Sequence, residues 1–151
     1  MKKIFVTLTI VGLVTNFKAQ IKVINTPQFI SVGKVDNFAI MKKVQSYQIT
    51  YQDIATANLN TYRTIRFDNK NKDFENLREI IIQGLELLPE QDIILEFPSD
   101  IVYLHFEKNF GKSTVQFIQL INKNKKYIGK SNFLSKEDIL KVFGEKKIYG
   151  K

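Results

Sequence analysis

His105 is the one histidine of the 151-residue sequence, and Tyr103 and Glu107 stand two residues to either side of it. Side chains two apart on a strand project from the same face, so the three would meet if this segment is extended. A histidine beside a carboxylate can act as a general base or hold a metal. The same grouping is also what an ordinary polar strand face with an incidental ion pair looks like. Nothing adjacent in sequence completes a catalytic set. No cysteine is present, so four ligands for a structural zinc could come only from an unusual carboxylate cluster. The sequence therefore implies no metal and no cofactor.

Two further motifs fail on their own terms. Gly111-Lys112-Ser113 has the form of the end of a phosphate-binding loop, but Phe106 occupies the position where that loop needs its first glycine. It reads better as a hairpin turn. Ser31-Val32-Gly33-Lys34 matches the nucleophile pattern of penicillin-binding enzymes, yet the companion motifs are missing and the chain is too short for that fold. Glu96, Asp100 and Glu107 could supply a carboxylate pair for glycoside hydrolysis only at a separation that sequence does not set.

The second kind of candidate is a binding patch. Lys123, Lys125, Lys126 and Lys130 surround Tyr127. The formal net charge of the whole chain is +8, and residues 107–151 concentrate it, with eleven lysines against four acids. Such a surface suits an anionic partner, either another envelope or secreted protein or an anionic envelope surface. No arginine occurs beyond Arg78, although planar guanidinium groups are what specific phosphate and base recognition uses. Nucleic acid is not the expected partner.

The elements that must position these residues follow from periodicity. Tyr47, Ile49 and Tyr51 alternate with polar residues, and Thr61 to Phe67 is rich in β-branched and aromatic residues, so two strands are expected there. Phe74, Leu77, Ile81, Leu85 and Leu88 recur at three- and four-residue spacings, which predicts a helix with Asp73 as its N-cap and Pro89 as its stop. Strands follow at Ile93–Phe97, Val102–Phe106, Val115–Ile121 and Tyr127–Leu134. Pro98-Ser99-Asp100, Asn109–Ser113 and Asn122–Lys126 form the turns between them. A last helix opens on a Ser135/Asp138 capping box, with Leu134 and Ile139 as a hydrophobic staple, and ends at Gly144. The order β-β-α-β-β-β-β-α predicts an α+β fold, an antiparallel sheet with two helices packed on one face.

Ahead of that domain, Lys2 and Lys3 precede an apolar run over residues 4–14, and Ala19 offers a small residue for cleavage, the pattern of a secretory signal peptide. The run is too short to span a bilayer, for which roughly 20 apolar residues are needed. The expected organisation is a signal peptide over 1–19, an extended arm over 20–36 punctuated by Pro27 and Gly33, and one domain over 37–151. No transmembrane anchor is expected in the mature chain. These features predict a small exported bacterial protein, periplasmic or secreted. Strong fold signals without a recognisable catalytic constellation favour a non-enzymatic binding module, of inhibitor or immunity type, over a small envelope hydrolase using His105, Glu107 and Tyr103.

Overall fold

Asp36 takes a left-handed φ of 45° between two short strands, and that turn starts the fold. The computed structural model describes residues 27–145; the predicted signal peptide and the first part of the arm lie outside them. Ile30–Val35 (β1), Phe38–Lys43 (β2), Ser46–Gln52 (β3) and Tyr62–Asp68 (β4) form an antiparallel sheet in chain order. Ile40, Ile49 and Ile65 lie in register across its inner face, each fully buried. Strict alternation along β3 sends Tyr47, Ile49 and Tyr51 inward and leaves the residues between them part exposed.

Helix α1 (Asp73–Leu87) buries Leu77, Ile81, Gly84 and Leu85. Asp73 opens it rather than capping it. The cap position is Lys72, with φ 58°, and Asn69 Oδ1 accepts the Phe74 N–H at 2.9 Å instead. Asn69 reaches from the end of β4, so the loop supplies the cap from outside the helix. At the far end Leu88 turns left-handed ahead of Pro89 and returns its N–H to the Gly84 carbonyl.

A second antiparallel sheet follows, with Ile93–Glu96 (β5), Ile101–Asn109 (β6), Lys112–Leu120 (β7) and Ile128–Lys130 (β8) in that order. Leu134–Ser135 (β9) adds to the other end of β7. Helix α2 (Lys136–Val142) has the predicted capping box, Ser135 Oγ accepting from the Asp138 N–H while Asp138 accepts from the Ser135 N–H. Gly144 follows with φ 83°.

The α+β class is as expected, but the strands divide into two sheets. β1 and β2 join the strands that periodicity indicated, and the last expected strand is split into β8 and β9. β1 lies within the segment expected to be an extended arm. It is held there because Val32 and Val35 pack against the core and because Gly33 lets α2 sit directly on it. A Cβ on Gly33 would overlap the Lys141 and Val142 carbonyl groups, backbone that cannot move aside. One core joins everything: Phe38 meets Phe117 at 5.1 Å between ring centroids, Tyr47 stacks on Phe74 at 4.1 Å and Phe67 meets Phe97 edge-on. Both helices lie on this inner side.

Candidate functional site

Val102, Leu104 and Phe106 point into that core, so the alternation of β6 commits Tyr103, His105 and Glu107 to the opposite, outer face. The expected trio is thus on one face. The partner that sequence missed is Asp92, in the loop before β5, whose Oδ1 lies 2.8 Å from His105 Nδ1. Glu107 Oε2 stands 3.4 Å from Nε2, and the ring meets Phe133 edge-on at 6.3 Å. Asp92 is thirteen residues from His105, and no local spacing relates a loop aspartate to a strand histidine. The Asp92 hydrogen bond raises the imidazole pKa above its ordinary value; partial burial opposes this and Glu107 assists it. Tyr103 has no hydrogen bond to either group among the described residues. The cluster can hold an imidazolium between two carboxylates, the arrangement of an ion-pair network.

Lys123, Lys125 and Lys126 lie between β7 and β8, and Lys130 on β8 shares a cross-strand row with Ile118 and Tyr103. Lys123 is drawn into a 2.6 Å contact with Glu96 on β5, which lowers the Glu96 pKa. Lys125, Lys126 and Lys130 are exposed. They are displayed by a firmly tied loop: the buried Asp100 accepts the Asn122 N–H at 2.9 Å, and Ile121, Asn124 and Tyr127 exchange backbone hydrogen bonds. Asn122 and Lys123 both take left-handed φ, at 53° and 56°. That conformation is disfavoured for lysine, and the surrounding bonds enforce it. Tyr127 and Ile128 are 61% and 42% exposed beside those lysines, and Ile94 on β5 is 61% exposed on the same sheet. At the β6–β7 tip, Phe110 is fully exposed at a φ of 51°, with Gly111 beside it at 79°.

A buried polar seam that sequence did not reveal joins the sheets. Asp53, fully buried after β3, accepts from Arg63 Nε at 2.9 Å, from the Lys130 N–H at 3.0 Å and from the Ala55 N–H at 3.1 Å. Burial alone pushes its pKa up, but the Lys130 N–H, the Arg63 guanidinium and the Ala55 N–H together bring it below the ordinary carboxylate value. Alongside, the Tyr51 hydroxyl donates to Gln119 Oε1 at 2.7 Å, and Gln119 Nε2 donates to the Thr64 carbonyl at 3.2 Å. Burial, with the Asp53 charge behind it, holds the Tyr51 phenol far above its usual pKa. Every polar atom named here has a partner, so the seam is scaffold.

A groove of about 460 Å³ lies between α1 and β5 and is lined by Leu77, Ile80, Leu95 and Phe97 with Asp73 and Glu96 at its rim. None of His105, Glu107, Tyr103 or the four lysines lines it. Among the described residues no group of three or more His, Asp or Glu side chains is placed to hold a metal ion, and no helix is long and apolar enough to cross a membrane. In comparisons with protein-family models, with curated proteins and with solved structures, nothing matched the chain.

Proposed function

We propose that the protein is an exported, non-enzymatic binding module that uses the outer face of its second sheet and the lysine-bearing β7–β8 loop to engage an anionic partner in the cell envelope or outside the cell. The observation that carries this reading is the placement of both helices on the inner side. The outer face of β5–β8 is left with exposed Ile94 and Ile128, next to Tyr127 and the lysines. Exposed aromatic and aliphatic residues in a charged setting are what a docking surface offers. The rigid backbone of the loop lowers the ordering cost of binding. Export rests on the pattern of residues 1–19.

The His105–Asp92 contact favours a second reading, a small hydrolase using His105 with Glu107 and Tyr103. Against it, the cluster stands on a sheet face rather than in the α1–β5 groove.

The test is affinity capture from the native envelope with residues 20–151, beside a variant in which Lys123, Lys125, Lys126 and Lys130 become Glu. One protein partner held by the first bait and lost from the second is the expected result. Equal capture by both baits would remove the lysines from the interface and with them this reading.

A further inference from the structure

The two sheets have four edges, and three of them are closed or blunted by different devices. The outer edge of β4 is met by Gln119, which donates to the Thr64 carbonyl. The outer edge of β8 is met by Asp53, which takes the Lys130 N–H. β1 carries a bulge between Ser31 and Gly33, has Lys34 along it, and lies under α2. Bulges, lysines and covering elements are how natural sheets prevent unwanted pairing.

β5 has none of these. The Phe97 N–H bonds to the Asp100 carbonyl at 2.8 Å. In an antiparallel ladder bonded pairs alternate with non-bonded ones. The pairs Leu95–Val102 and Ile93–Leu104 are then the bonded ones, and the main-chain groups of Ile94 and Glu96 point away from β6. No turn, loop or side-chain hydrogen bond among the described residues reaches those groups. Beside this edge lies the 460 Å³ groove, its floor formed by Leu77, Ile80, Leu95 and Phe97. Its rim carries the carboxylates of Asp68, Asp73 and Glu96; Lys70 stands 3.8 Å from Asp68 and Lys123 2.6 Å from Glu96, and Asp73 has no salt bridge among the described residues.

We infer that the edge of β5 is a site for strand addition, taking an extended segment of a partner protein whose residues alternate apolar and basic. Main-chain bonds to Ile94 and Glu96 would fix the register. A side chain opposite Leu95 points to the inner face and enters the groove next to Ile80, while its neighbours point outward, where a lysine or arginine shares Glu96 with Lys123. The carboxylates at the rim select against an acidic segment. This site touches the lysine loop at one point, the contact of Glu96 with Lys123.

The probe is a labelled ten-residue peptide alternating lysine and valine, titrated into residues 20–151 and followed by anisotropy and by amide exchange. It should bind with new protection at the amides of Ile94 and Glu96. A glutamate–valine peptide should bind about tenfold or more weakly, as should the lysine–valine peptide N-methylated along its pairing edge, which loses the main-chain bonds. Ile94→Pro should weaken binding similarly and leave the fold intact, because that N–H has no partner in the free protein. If that variant does not fold, the N-methylated peptide still decides. Equal affinity of the N-methylated peptide, protection confined to residues 125–128, or no binding at millimolar peptide would each overturn the inference. The four-lysine-to-glutamate variant, which frees Glu96 from Lys123, should bind this peptide at least as tightly, so failure of the lysine loop as an interface is read separately.

Discussion

Replacing Asp53 by Asn keeps the shape of a fully buried side chain and removes only its charge. The amide oxygen can still accept the Ala55 and Lys130 N–H groups, which both reach Oδ1, but its NH₂ then faces Arg63 Nε, donor against donor. A hydrogen bond to a charged group contributes about 1.5–3 kcal/mol, and breaking a buried pair from one side costs about 3–5 kcal/mol. Arg63 is 32% exposed and can recruit water. That places the loss near the lower end, about 2 kcal/mol. Asp53→Ala strands the two N–H groups as well and should cost about 3–5 kcal/mol, a large share of the roughly 5–15 kcal/mol a domain possesses. Urea titration at neutral pH measures both. The pH dependence supplies a second check on the same reasoning. The folded pKa of Asp53 is depressed, so its stabilisation is complete above the unfolded value of about 3.9 and is lost as pH falls through the folded value. The gap between wild type and Asp53→Asn should therefore be flat from neutral pH down to about pH 5 and close on further acidification. A gap below about 0.5 kcal/mol at neutral pH, within the range of an ordinary surface substitution, would refute the argument that this carboxylate joins the sheets.

Two other expectations come from the same geometry. A Cβ on Gly129 would lie 2.7 Å from the Tyr51 hydroxyl and 2.9 Å from Arg63 Cγ. Gly129→Ala should therefore cost about 1–3 kcal/mol, the usual penalty of forcing a methyl into filled space. Tyr51→Phe should recover part of that loss in the double variant, and strictly additive costs in urea melts would show that the contact is not the cause. His105 should titrate by NMR with a midpoint above its ordinary value, falling towards that value in Asp92→Asn. Because this folded pKa is raised, the small stability it brings is present below the unfolded value of about 6.5 and is lost as pH rises through the folded one. An unchanged midpoint in Asp92→Asn would remove the pairing.

What could be read from the sequence was what local periodicity and end signals encode. The capping box at Ser135 and Asp138, the stripe of α1 and the alternation in β3 and β6 each depend on neighbours within a few residues. β2 was harder to see, because Lys42 and Lys43 follow Phe38, Ile40 and Met41 and blur the alternation; Lys42 still takes an inward register and lifts its ammonium over the Tyr47 ring. Division into two sheets was not encoded locally at all. β3 and β7 show inward-facing apolar residues whichever strands they pair with, and the partition depends on long-range contacts such as Gln119 to Thr64. The candidate site shows the same boundary. The shared face of Tyr103, His105 and Glu107 is a two-residue rule, while Asp92 arrives from a loop.

One signal for the seam was present in the sequence, and it explains why the open edge lies where it does. Gly129 stands inside a strand between Ile128 and Lys130, and a glycine in such a place marks close approach by another chain segment. What approaches is Tyr51 and Arg63, and with them Asp53, which takes the next backbone N–H along β8. The second sheet is thereby sealed at the end where it joins the first. Sealing one edge leaves the other, β5, as the place where this sheet can grow. The four residues of β5 include no lysine and no bulge, and the device that protects β8 has no counterpart there. If the edge were merely undefended, any extended peptide should add to it. The groove beside Leu95 and the carboxylates of its rim predict selection by side chain, which is how recognition differs from aggregation.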